Sequence, residues 1–219
     1  MLVPRGRRDP LRAVLFDLDT VLIDNSVAWR YTIEESIASV CGRRISAEPL
    51  ADAYRGRRWR HALAVILEDR AEIERCEQLC EVMTLRSSMK RLTVYEGTGM
   101  ALDTLRGARI EMGVITRAEH SLALKQIQST GLDRFLSVLA PTPRGELWEP
   151  AERLADCLRF LEQPSHACAF ISADPLDLAV GTAAGFHCFV AQWAVRETDT
   201  GKPSNWPGLE QPAALAGLR

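Results

Sequence analysis

Two aspartates at the end of an apolar run are the first residues in this chain with chemistry to do. Ala13-Val14-Leu15-Phe16 is continuously hydrophobic and stops at Asp17-Leu18-Asp19, the pattern of a short strand buried on both faces of a sheet. Residues i and i+2 of an extended segment point the same way, so the carboxylates of Asp17 and Asp19 share a site. Two like charges that close repel unless a cation or a proton intervenes. A hard divalent ion held by oxygen ligands answers that repulsion, and Mg²⁺ is the ion the pair implies.

A carboxylate pair needs a frame that delivers it to a strand end. Short apolar runs recur at 110–115, 137–140, 167–172 and 187–191, with helical stretches at 100–105, 121–129, 150–161 and 176–184. Strands alternating with helices imply βαβ units with right-handed crossovers and a Rossmann-like α/β core around a parallel sheet. In such sheets ligands bind beyond the carboxyl ends of the strands, where Asp17 and Asp19 fall.

One segment breaks the alternation. Between Asn25 and about Thr93 there is no strand candidate, only helical periodicity through Val27, Tyr31, Ile33 and Ile37, then Leu63, Ile66 and Leu67, then Ile73, Cys76, Cys80 and Met83. We expect an α/β core over 1–24 and 94–219, with a helical cap of roughly four helices inserted over 25–93. Ser26 and Ser46 are the expected N-caps, and Gly42 and Gly56 the expected stops. The tail from Gly201 onward reads as poorly ordered or as a C-terminal strap.

Composition bounds the classes. The chain has 219 residues, 47% hydrophobic, with a formal net charge of -2, enough for one core with an insert and without the field that a nucleic-acid partner requires. No apolar run is long enough to span a bilayer or to serve as a secretory leader, so a soluble, cytoplasmic protein without a membrane partner is expected, monomeric or homodimeric. The opening Leu2-Val3-Pro4-Arg5-Gly6 looks like the scar of a cleavable tag or a native start, and carries no chemistry either way. The six cysteines form no CxxC pair, and Cys76 and Cys80, one helical turn apart, read as core packing. Lysine is confined to Lys90, Lys125 and Lys202, so roles usually given to lysine fall to arginine.

Phe16-Asp17-Leu18-Asp19-Thr20-Val21-Leu22-Ile23-Asp24 resembles the first signature of the haloacid dehalogenase-like superfamily, coupling a buried strand, two spaced aspartates and a short apolar hairpin before a helical insert. That resemblance implies Asp17 as a nucleophile forming an aspartyl-phosphate, Asp19 as the general acid and base, and Asp17, Asp19 and Asp174 around Mg²⁺. Thr20 stands where glycine is usual. Thr116, in Met112-Gly113-Val114-Ile115-Thr116-Arg117, resembles the hydroxyl residue that anchors the phosphoryl group. The type of cap resembles that of the phosphoglycolate phosphatase and β-phosphoglucomutase branch.

Two landmarks depart from the pattern. Where a lysine or arginine before proline should bridge nucleophile and phosphate, the chain has Glu149-Pro150. Arg153, one turn along, is the first candidate for the missing phosphate-binding cation, with Arg144 and a cap arginine as the alternatives. The metal-binding aspartate pair is replaced by Ser172-Ala173-Asp174-Pro175-Leu176-Asp177, where Asp174 or Asp177 completes the site, or where a register fixed on Ala183-Ala184-Gly185 loses a ligand. In the cap, Arg55-Gly56-Arg57-Arg58-Trp59-Arg60 offers guanidinium forks for an anionic substrate, Arg57 and Arg58 foremost, or is a solvated basic turn. The expectation is a Mg²⁺-dependent phosphatase-type hydrolase for a small anionic phosphorylated metabolite. The alternatives are a catalytically degenerate binding or regulatory protein of the same fold, and a dehalogenase, which would not need Asp19.

Overall fold

The computed structural model describes residues 10–46, 59–195 and 205–218. Five strands lie where the apolar runs predict them: β1 (Ala13–Asp17), β4 (Glu111–Thr116), β5 (Val138–Pro141), β6 (Cys168–Ser172) and β7 (His187–Ala191). Two-residue strands are added at β2 (Ile23–Asp24), β3 (Thr93–Val94) and β8 (Gly208–Leu209), too short to leave a periodic signal. The main sheet has the order β5-β4-β1-β6-β7-β8 and every pairing in it is parallel. β1 is central and buried throughout, as a run without polar alternation requires.

Alternate residues of β1 serve opposite faces. Val14 and Phe16 join the cluster formed with α4 (Thr98–Gly107), α5 (His120–Ser129) and the C-terminal 3₁₀ turn, whereas Ala13 and Leu15 pack with α6 (Pro150–Leu161) and α7 (Pro175–Ala183). The sheet is thus a helix-covered α/β core. Gly113 is required between strands, since a Cβ there would lie 2.4 Å from Val138 Cγ1 and 2.9 Å from Leu15 Cδ2. Of the two readings of the tail, residues 205–218 form the strap: β8 extends the sheet edge, and the 3₁₀ turn Pro212–Gly217 packs on α4 with Leu215 fully buried.

Between β2 and β3 the described chain is helical: α1 (Ser26–Cys41), α2 (Trp59–Leu63), α3 (Arg70–Thr84) and a 3₁₀ turn, Ser88–Arg91. Trp29, Ile33, Ile37, Leu63, Cys76 and Cys80 form a separate small core there. Gly42 stops α1 in the left-handed region, φ 66°. Two expectations need correction. Asn25, not Ser26, occupies the N-cap position of α1, because Ser26 is already helical and gives its amide to Asp24 Oδ1 at 2.9 Å. The segment after Asp17 is not a hairpin by itself: Leu18–Leu22 makes one π-helical turn, and β2 then pairs antiparallel with the distant β3. Ser46 precedes, and Gly56 falls within, a stretch outside the described residues.

Candidate active site

Because β1, β4 and β6 are adjacent and parallel, their last residues reach one edge of the sheet: Asp17 opposite Ile115 and level with Ser172, with Thr116 one step beyond. Asp17 lies at the bottom of this edge with its side chain 1% exposed. Its Oδ1 accepts the amide of Asp19 at 3.1 Å, and its Oδ2 accepts the hydroxyls of Thr20 at 2.8 Å and Ser172 at 3.4 Å. The threonine that replaces the usual glycine therefore serves the first aspartate directly.

Asp19 reaches the site through the π-helical turn and not through strand alternation, since the chain leaves the extended conformation at Leu18. A π turn inserts extra backbone into one helical winding, and such turns often mark functional positions. Thr116 donates its hydroxyl to Asp19 Oδ2 at 2.6 Å and accepts the amide of Ala118 at 3.0 Å. Thr116 and the Asp17/Asp19 pair are thus brought together.

The cation at this edge is Arg117, a residue that the motif positions did not single out. Its Nη2 donates to Asp174 Oδ2 at 3.0 Å and to Asp177 Oδ2 at 3.2 Å, while Nη1 stands 3.9 Å from Asp17 Oδ2. The guanidinium lies over the ring of Trp148, 4.6 Å from its centroid, and the indole N–H donates to Asp177 Oδ1 at 3.0 Å. Asp174 also caps α7, its Oδ1 accepting the amide of Leu176 at 2.9 Å.

Arg153, the expected substitute for the missing bridging cation, is turned elsewhere. Its Nη1 donates to the carbonyl of Pro141 at 3.1 Å, and it pairs with Glu152 and Asp156 on its own helix. Its guanidinium therefore meets the end of β5 and not Asp17. Glu149 itself occupies the N-cap position of α6 without a side-chain capping bond. Arg144 is exposed in the preceding loop. Arg57 and Arg58 lie outside the described residues.

Burial dominates the electrostatics. It pushes Asp17 up to about 7 against the pull of Arg117, with the neighbouring charges of Asp19 and Asp177 adding to the rise. Asp19 is also raised by burial, opposed by the hydroxyl of Thr116 and by Arg117, and Asp177 by burial, opposed by Arg117 and Trp148. Burial works against the charge of Arg117, but Asp17, Asp177, Asp174 and Asp19 together outweigh it and hold the guanidinium protonated.

The resemblance implies a divalent ion, and the residues can be tested for it. Mg²⁺ needs near-octahedral oxygens at about 2.0–2.1 Å. The space between Asp17 and the Asp174/Asp177 pair is instead taken by a guanidinium already bonded to the oxygens such an ion would use. Among the described residues no group of three or more His, Cys, Asp or Glu side chains is placed to hold an ion. The donor set in this arrangement does not fit a divalent metal.

The chain is similar to several known proteins. It is 25% identical over 203 residues to the pyrophosphatase PpaX of Halalkalibacterium halodurans, covering 86% of this chain and 87% of that one. The fold matches that of a haloacid dehalogenase-superfamily hydrolase, subfamily IA, variant 1, from Geobacter sulfurreducens, at TM-score 0.77, 20% identity and 95% and 96% coverage of the two chains. It also matches CbbY from Rhodobacter sphaeroides in complex with phosphate, at TM-score 0.71, 18% identity and 95% and 99% coverage. The sequence pattern of the haloacid dehalogenase-like hydrolase family spans residues 14–191, from the start of the central strand past every carboxylate above, and the chain belongs to that family.

Proposed function

We propose that this hydrolase removes phosphate from a small phosphorylated metabolite through an aspartyl-phosphate formed on Asp17, with Asp19 as general acid and then general base. The observation that carries the reading is the meeting of Asp17, Asp19, Thr116 and Arg117 at one sheet edge. Asp17 Oδ1 keeps a lone pair free beside its single bond to the Asp19 amide, and attacks phosphorus in line. Asp19, whose carboxyl is raised by burial, holds a proton to give to the leaving oxygen. Once ionised, it takes a proton from water, and that water cleaves the acyl-phosphate to release phosphate and restore Asp17.

In this reading Thr116 is the phosphate anchor, with its hydroxyl first given to Asp19, which it orients. Arg117 supplies the cation in place of Arg153. Phosphatases of this superfamily generally use Mg²⁺; here no step requires it, because the guanidinium offsets the charge on the transferring group. In this reading residues 1–24 and 94–219 are the catalytic core and 25–93 the cap, with Arg57 and Arg58 selecting the substrate anion. The compartment is cytoplasmic and the partner is a small phosphorylated anion, bound by a monomer or homodimer.

A second reading rests on one observation: Asp17 is wholly buried beneath Arg117, so the site at rest is closed. A binding protein that had lost catalysis would have the same geometry. Turnover of a panel of phosphomonoesters plus pyrophosphate, the latter suggested by the name of the Halalkalibacterium relative, separates the two. We expect at least one member to be hydrolysed, and Asp17→Asn to lower the rate by roughly three orders of magnitude or more. A panel on which the wild type never exceeds Asp17→Asn favours the binding protein.

A further inference from the structure

We propose that Arg117 is a built-in cation that replaces the divalent metal of this site, so that the protein takes up a phosphoryl anion on a guanidinium and binds no divalent ion there. The metal half stands on geometry alone; the phosphoryl half rests on the function proposed above.

Arg117 contacts the three carboxylates that would otherwise bridge an ion: Asp174 at 3.0 Å, Asp177 at 3.2 Å and Asp17 at 3.9 Å. It is held there from two directions. Carboxylates take its edge, and Trp148 takes one face while tying its own N–H to Asp177. A planar fork seated between carboxylates and stacked on a ring is a rigid arrangement that lysine cannot reproduce.

The guanidinium also cannot yield by losing its charge. Metal ions ordinarily enter sites by displacing protons from their ligands, whereas an arginine remains protonated at every accessible pH. A dication arriving at these carboxylates meets a fixed positive charge and has to expel the whole side chain. An anion meets the opposite situation. The Arg117 side chain is 22% exposed while that of Asp17 is 1% exposed, so a phosphoryl group entering from solvent reaches the guanidinium first.

The rest of the sequence agrees with this exchange. Glu149 stands where the bridging base belongs, Arg153 is committed to Pro141, and among the described lysines neither Lys90 nor Lys125 is at the site. Without Arg117 the four aspartates have no counter-ion among the described residues.

Calorimetric titration of the full chain with Mg²⁺ and Mn²⁺, in chelator-treated buffer, tests the metal half. No saturable binding in the millimolar range is expected for the wild type, and Arg117→Asn, which removes the cation and leaves the carboxylates, is expected to gain Mg²⁺ binding. Inorganic phosphate tests the anion half: its affinity should be the same with and without Mg²⁺, and about tenfold or more weaker in Arg117→Asn. Saturable divalent binding by the wild type, or phosphate binding only when Mg²⁺ is present, overturns the proposal. The wild-type titrations decide the matter even if the variant fails to fold. Loss of the hydrolase reading would appear separately, as absence of turnover on the substrate panel, with the metal titration unaffected.

Discussion

The sheet edge and the interior of the helical insert both bury polar side chains, but they neutralise them differently. At the sheet edge the polar groups include charges: Asp17 and Asp177 are buried, and Asp19 and Asp174 partly so, around Arg117. In the insert they are neutral. Thr32 and Ser88 share a hydrogen bond of 2.5 Å, Ser36 gives its hydroxyl to the carbonyl of Ile33, and the Cys80 thiol lies 3.2 Å from the Ser36 hydroxyl. The thiols of Cys76 and Cys80 are pushed up to about 12, chiefly by burial, so they stay uncharged at any working pH. A buried hydroxyl or thiol is satisfied by one partner, whereas a buried charge needs a counter-charge and several bonds. The insert is therefore built for packing, and the sheet edge carries an electrostatic cost that packing alone does not explain.

The sharpest way to break this contrast is to remove the counter-charge. Arg117→Met keeps bulk but leaves Asp17, Asp174 and Asp177 facing one another, and should destabilise the protein by about 3–5 kcal/mol near pH 8, the range for stripping one partner from a buried ion pair. The loss should shrink toward pH 5, where the carboxyls can take up protons instead. Urea unfolding at both pH values measures it, and a loss equal at the two would mean that Arg117 contributes packing and not charge.

The next largest effect runs in the opposite direction. Asp17 titrates near 3.8 as an ordinary aspartate and at about 7 when buried here. The folded state therefore binds its proton more tightly than the unfolded state. Its contribution to stability is fully present below about pH 4 and is lost as pH rises through about 7. Over that interval the linkage amounts to on the order of 4 kcal/mol. Asp17→Asn, a mimic of the protonated form, should thus abolish turnover while making the protein more stable than wild type at pH 8, and no more stable at pH 4. Thermal melts across the range would reveal a gain that grows with pH; a gain independent of pH would assign it to something other than ionisation.

The same contrast explains what the sequence could disclose. The α/β frame was legible because buried parallel strands leave unbroken apolar runs, and the Asp17/Asp19 pair because its spacing is local. Arg117 is not legible in the same way, because the i and i+4 spacing after Glu149 points to Arg153 instead. The signal was present: Arg117 directly follows Thr116, at the end of a strand that neighbours β1, and a charged residue there faces the carboxylates whatever its role elsewhere. Thr20 and Trp148 were missed for a related reason. Thr20 reaches Asp17 only because the chain winds into a π-helical turn after Leu18, and only the tertiary fold brings the Trp148 N–H to Asp177. The short strands β2, β3 and β8 have two residues each, below the length at which period-2 alternation can be read.

The smallest effect tests the insert itself. Thr32→Val preserves shape while deleting the hydroxyl that donates to the carbonyl of Ala28 at 2.7 Å and meets Ser88. The Ala28 carbonyl is an acceptor that an α-helix already uses, so its loss costs little. Ser88, 3% exposed, is left with a buried hydroxyl short of a partner, at a cost of about 1–3 kcal/mol. Nothing in that cluster titrates between pH 5 and 8, since the nearby thiols remain neutral, so the loss should be flat across the interval in which Arg117→Met and Asp17→Asn both change. Urea unfolding of Thr32→Val at pH 5 and pH 8 measures this. A cost that varied with pH would mean that the insert's hydroxyl network is coupled to the carboxylates at the sheet edge, and the two regions would then have to be treated as one electrostatic unit.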